Sequence, residues 1–133
     1  MEKVQLGLLC DFINGDRGKN YPSQNAFIST GIPFLSAKDL KKNEIKTEGL
    51  RYVSESTYEK LGSGKLKDKD ILFCLRGSLG KFGVNRKNIR GAIASSLVII
   101  RPNNKIELNY LTHYLSSPIF RILVNKSEFI TSM

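Results

Sequence analysis

Two short apolar runs constrain this chain more than anything else in it. Ile71-Leu72-Phe73-Cys74-Leu75 is unbroken and short enough to be a strand buried on both faces. Ser96-Leu97-Val98-Ile99-Ile100, stopped by Arg101-Pro102, is the clearest strand signal in the sequence. Around them the pattern is shorter and more mixed. Gly31-Ile32-Pro33-Phe34-Leu35 reads as a strand whose proline, lacking an N–H, places it at an edge or a bulge. Residues 38–43 read as a polar turn, and Leu50-Arg51-Tyr52-Val53 as another brief strand.

Helical signals flank these strands. The spacing of Leu6, Leu9 and Ile13 predicts a helical turn that gives way to a loop at Asn14-Gly15-Asp16-Arg17-Gly18-Lys19-Asn20. Ser54 or Ser56 opens a helix through Tyr58 and Leu61, and Ser56-Thr57-Tyr58-Glu59 matches a capping box. Gly62 and Gly64 end it. Leu108, Leu111 and Leu115 repeat at helical spacing, Pro118 interrupts, and Ile119, Ile122 and Leu123 carry the pattern to about Asn125. Glycines 77, 80 and 83 punctuate a turn after the first apolar run. Short strands in the middle with helices toward the ends predict an α+β fold, and 133 residues leave room for one domain.

Charge narrows the partners. Twenty-one Lys and Arg against 12 Asp and Glu leave a formal charge of +9, with an isoelectric point near 9.7. Such an excess favours polyanions through long-range attraction and counterion release, although it also serves simple solubility. Cys10 and Cys74 sit among apolar neighbours without metal-ligand spacing, which predicts buried reduced thiols and a cytoplasmic protein. The N-terminus does not read as a signal peptide, and no apolar run is long enough to span a bilayer.

The signatures of enzymes acting on nucleic acid are missing. Gly80-Lys81 lacks the glycine five places upstream and the following Ser or Thr that a phosphate-binding loop requires, because Leu75 and Phe82 stand there. The four prolines are isolated, so no Pro-Pro-aromatic methyltransferase loop exists. Asp68 and Asp70 lie in an alternating-charge stretch with no third carboxylate at a telling spacing, which reads as a solvated turn in preference to a metal site. The sole histidine, His113, reads as a surface or boundary residue. No catalytic residue, metal ligand or cofactor is expected.

Three basic loops are candidates for binding DNA. Arg76-Gly77-Ser78-Leu79-Gly80-Lys81 joins a guanidinium, a hydroxyl and an ammonium to glycines that let backbone approach phosphates. It reads equally well as a tight hairpin. Arg17, Lys19, Asn20 and Tyr21 combine cations, an amide and an aromatic, the groups that pair with base edges and phosphates. Arg86 and Arg90 bracket the third loop, and Lys38 belongs to a cluster with Lys41 and Lys42 that reads more simply as a solvated face.

The ordered set Val4-Gln5-Leu6-Gly7, Gly31-Ile32-Pro33-Phe34-Leu35-Ser36-Ala37-Lys38-Asp39-Leu40, Asp70-Ile71-Leu72-Phe73, Arg76 to Lys81, Ala94-Ser95-Ser96-Leu97-Val98-Ile99 and Tyr110-Leu111-Thr112-His113-Tyr114-Leu115-Ser116-Ser117-Pro118 resembles the target-recognition domain of type I restriction–modification specificity subunits. The resemblance implies a fold like the small DNA-recognition domain of adenine-N6 methyltransferases, with short mixed strands and flanking helices. It implies that residues 1–126 form the recognition domain and 127–133 a C-terminal tail, without the spacer helix and second recognition domain of a full subunit. The implied task is reading half of a split double-stranded DNA site for separate modification and restriction subunits, with no catalysis of its own; two copies could pair as a homodimer. Lys69-Asp70 departs from the Gly-Asp usual in the family. A truncated module that binds the modification subunit is the alternative reading, and a small metal-dependent nuclease a third.

Overall fold

A computed structural model describes residues 10–75, 80–103 and 107–117. Among the described residues, ten strands form two sheets: β1 (Cys10–Asn14), β2 (Phe27–Ile28), β3 (Ile32–Leu35), β4 (Leu40–Lys41), β5 (Glu44–Ile45), β6 (Arg51–Val53), β7 (Ile71–Cys74), β8 (Phe82–Val84), β9 (Ala92–Ile93) and β10 (Leu97–Pro102). The α-helices among the described residues are α1 (Glu55–Lys60) and α2 (Leu108–Leu115). The larger sheet runs β1-β10-β7-β8-β5-β4 and the smaller β2-β6-β3-β9. Both mix parallel with antiparallel pairs, since β5–β8 and β3–β9 are parallel. The α+β expectation holds.

The two apolar runs explain the layering. Every residue of β7 is buried, and alternation sends successive side chains to opposite faces. Ile71 and Phe73 join Phe82, Val98, Ile100 and the α2 residues Leu111 and Leu115 in one apolar cluster. Leu72 and Cys74 join Leu97, Ile99, Leu35 and Ile93 in a second, which fills the space between the sheets. The small sheet buries its other face as well: Phe34 and Ala92 pack with Val53, Tyr58 and Leu61 beside α1. The order of layers is therefore α2, large sheet, small sheet, α1. Cys10 and Cys74 are both buried thiols, as expected.

Several local expectations are corrected. Of the predicted opening helical turn, Leu6 and Leu9 lie outside the described residues, and Ile13 stands in β1, where Ile13 pairs with Ile99. A strand neighbour with its own apolar face outcompetes a weak helical period. Pro33 is not on an edge strand, because β3 lies between β6 and β9. The β9 ladder engages only Phe34 and Leu35, so the missing N–H falls beyond its end. The polar turn at 38–43 is shorter than its polarity suggests: a 3-10 turn over Ala37–Asp39 leads into the β4–β5 hairpin, with Leu40 buried. Ser54, and not Ser56, caps α1, accepting from the Thr57 amide at 3.1 Å. Gly83 lies within β8 and not in a turn, and a Cβ there would come within 2.8 Å of Leu40 Cδ2 and 2.9 Å of the Glu44 carbonyl. Neither Arg101 nor Pro102 stops β10, since both pair with β1. Gly77 and the predicted helix beyond Pro118 lie outside the described residues.

Asp70 is the sharpest correction. It is not solvated but fully buried, holding Arg101 through Oδ1–Nε and Oδ2–Nη2 contacts of 2.8 Å each. Its Oδ2 also accepts from the Lys67 amide at 2.7 Å. Asp68, two residues earlier, is exposed as predicted.

A candidate nucleic-acid interface

Strand register decides which loops meet. Asn14 lies opposite Val98 and Leu97 opposite Cys74, so the chain leaving β1, the chain leaving β7 and the chain entering β10 share one end of the large sheet. The turn at 94–96 ties them together. Arg17 donates from Nη2 to the Ser95 carbonyl at 3.1 Å, and the Ser95 amide donates to the Tyr21 hydroxyl at 3.2 Å. The Ser96 carbonyl accepts from the Leu75 amide at 2.8 Å, at the start of the glycine-rich connection. That connection closes as the Cys74 amide donates to the Lys81 carbonyl at 2.8 Å.

A carboxylate locks the same end from beneath. Asp16 accepts from the amides of Gly18 at 2.7 Å and Gly62 at 2.8 Å, and these bonds hold its carboxyl below the ordinary range. Gly15 and Gly64 make this approach feasible. A Cβ on Gly64 would stand 2.8 Å from the Gly15 Cα, and Gly64 has a φ of +84° that L side chains rarely adopt.

Arg17, Lys19, Asn20, Tyr21 and Lys81 are thus brought to one end of the sheet. Lys19 and Asn20 are exposed and Lys81 is half-buried. Tyr21 is the anchor of its loop, with its hydroxyl engaged and its ring edge-on to Phe34 at 5.6 Å between centroids. Lys38 leaves at the same end, because the Leu35 carbonyl accepts from the Ala94 amide at 2.8 Å. Its ammonium contacts Asp39 Oδ1 at 3.0 Å. Arg76 and Ser78 lie outside the described residues.

The third basic loop is placed elsewhere. Val84 lies opposite Ile71, so Arg86 emerges at the other end of β8. Arg90 is engaged by Glu55, Nη1 to Oε1 at 2.7 Å, with its guanidinium 4.5 Å from the Tyr58 ring centroid. The paired carboxylate raises Arg90's affinity for its proton.

Sequence reasoning missed Asp16 and did not single out Ser95. Asp16 carried a legible signal, because Asp with Gly two places on is an Asx turn that donates the glycine amide to the carboxylate. Ser95 acts through its backbone, which side-chain chemistry does not announce. Among the described residues no cluster of three or more His, Cys, Asp and Glu side chains could hold a metal ion, and no described helix is long and apolar enough to cross a membrane.

No family model matches the chain. It is 30% identical over 102 residues to the type I restriction enzyme EcoBI specificity subunit of Escherichia coli, covering 76% of this chain and 22% of that protein. The solved HsdS subunit from Thermoanaerobacter tengcongensis superposes with a TM-score of 0.65 at 24% identity, over 84% of this chain and 26% of that one. The S subunit of the type I restriction–modification system from M. genitalium superposes with a TM-score of 0.56 at 18% identity, over 84% and 25% of the two chains. This chain spans about a quarter of the length of these relatives. Sequence and fold together relate it to the specificity subunits of type I restriction–modification systems, of which it matches one domain.

Proposed function

We propose that this chain reads double-stranded DNA, supplying half of the specificity of a type I restriction–modification system and none of its bond-making chemistry. The observation that carries this reading is the 94–96 turn, which hydrogen-bonds to the cationic loop at 15–21 and to the shoulder of the glycine-rich connection at 75–81. Lys19, Asn20 and Lys81 then stand on one edge of a rigid two-sheet scaffold. Their chemistry suits phosphate neutralisation and base-edge pairing. Arg76 and Ser78 extend the set by sequence. Residues 1–126 are the recognition domain in this reading. Modification and restriction subunits supply methylation and cleavage, and a second copy of the chain supplies the other half-site. The interaction-module alternative has no observation in its favour. The nuclease reading loses Asp70, which is buried against Arg101.

The test is selection of duplexes from a randomised pool, followed by fluorescence anisotropy over a salt series. The expected result is a preferred sequence, with log affinity falling linearly in log salt by about 0.9 per neutralised phosphate. Equal, weak binding to every duplex overturns the reading.

A further inference from the structure

The arginine that the reading loops leave behind has a place of its own. Lys42, Asn43, Glu44, Arg86, Asn109 and His113 are among the residues that line a cleft of about 370 Å³ between the β4–β5 hairpin, the length of β8 and α2. This volume falls within the roughly 300–1,000 Å³ of small-molecule sites. Its walls are fixed by backbone. Lys42 and Asn43 form the two-residue hairpin tip with φ of 53° and 63°, and the Asn43 carbonyl accepts from the Val84 amide at 3.1 Å. That bond sets the tip beside Arg86, two residues on. Across the gap, Asn109 and His113 stand one helical turn apart on the same face of α2, while Leu111 and Leu115 hold the helix to the sheet.

The donors in this cleft are not consumed. Lys38, Arg90 and Arg101 have carboxylate partners, whereas among the described residues neither Lys42 nor Arg86 has one. Arg86 Nη2 reaches Asn109 Oδ1 at 3.4 Å, which leaves the Asn109 amide nitrogen and most of the guanidinium fork as donors. Glu44 is the one carboxylate among the described lining residues. A planar fork, an ammonium, two carboxamides and an imidazole around one polar space suit an oxyanion, because guanidinium engages phosphate oxygens two at a time. We infer that this cleft binds a phosphate group, through side chains other than those of the loops at 15–21 and 75–81. The group comes either from a nucleic-acid backbone or from a free phosphate or nucleotide. This inference does not rest on the proposed reading of DNA by those loops.

His113 is the sole histidine, so its ring resonances in NMR spectra of the full isotope-labelled chain report on the cleft without ambiguity. Titration with inorganic phosphate is expected to shift them saturably, and chloride at matched ionic strength is expected not to. Arg86→Gln and, independently, Lys42→Gln are each expected to weaken the apparent phosphate affinity at least tenfold, while Lys19→Gln leaves it unchanged. Parallel titrations with a mononucleotide and a short duplex separate the sources. A response to duplex assigns the phosphate to a nucleic-acid backbone, and a response only to phosphate and nucleotide assigns it to a free ligand. A His113 signal that follows chloride as it follows phosphate, or that responds equally in a folded Arg86→Gln or Lys42→Gln protein, overturns the inference.

Discussion

The phenolic oxygen of Tyr21 accepts a hydrogen bond from the backbone amide of Ser95, 3.2 Å away and 74 residues further along the chain. This bond makes two separate loops one surface. Tyr21→Phe keeps the ring against Phe34 and removes only the acceptor, leaving a part-buried amide unsatisfied. The expected loss is about 1 kcal/mol, seen as a lower urea midpoint with an unchanged slope. Affinity for the selected duplex should fall with it, because the loop carrying Lys19 and Asn20 loses its tether.

Asp70 and Arg101 form a pair whose side chains are 1% and 24% exposed. Replacing Arg101 with Met strands a buried carboxylate, and breaking such pairs costs roughly 3–5 kcal/mol. Replacing both residues with apolar ones of similar volume should recover much of that loss. Denaturant unfolding of the Arg101→Met variant and of the double variant measures both effects.

Lys19 and Lys81 should behave differently from Arg90. Lys19→Ala or Lys81→Ala is expected to weaken binding to all duplexes and to reduce the salt slope by about 0.9 each. Arg90→Ala is expected to leave the slope unchanged, because its charge is engaged by Glu55. It should instead cost little stability, as exposed pairs do. A slope that drops in Arg90→Ala as it does in Lys19→Ala would remove the reading loops' special standing.

Acid should loosen the loop cluster through Asp16. Asp16 ionises more readily in the folded chain than its ordinary value of 3.8 implies, through its bonds to the Gly62 and Gly18 amides. Glu55 does so relative to 4.5, mainly through Arg90. A depressed folded-state pKa means that the stabilisation is complete above the ordinary value. It fades as pH falls through the lower, folded one. Asp16→Asn should therefore flatten the acid side of the stability profile below about pH 4. Hydrogen exchange of the Gly18 and Gly62 amides reads the same event locally.

Burial, with a smaller contribution from Asp11, pushes the Cys10 thiol up to about 11. The native protein should resist alkylation at Cys10 at pH 8 and react promptly once unfolded in urea, since the thiolate is the nucleophile. Peptide mass spectrometry after timed iodoacetamide treatment checks this.

Much of the architecture was legible in local pattern. The runs at Ile71 and Leu97 are strands, the Leu108–Leu111–Leu115 period is a helix, and the 14–20 stretch is largely loop, because burial period and turn chemistry are properties of neighbouring residues. Local pattern did not separate Arg17, Lys19, Lys81, Arg86 and Arg90, since each is a cation in a polar segment. Tertiary structure separated them. Antiparallel register sends the chain after Asn14 and after Cys74 to one end and Arg86 to the other, while Glu55, 35 residues from Arg90, engages that guanidinium. Asp70 followed the same logic: its charged neighbours suggested water, yet Arg101, 31 residues away, makes burial tolerable. Composition and spacing settle which groups a chain owns and which segments become strands. Whether a charge faces solvent, a partner or the interior depends on residues distant in sequence, and only folding brings those to it.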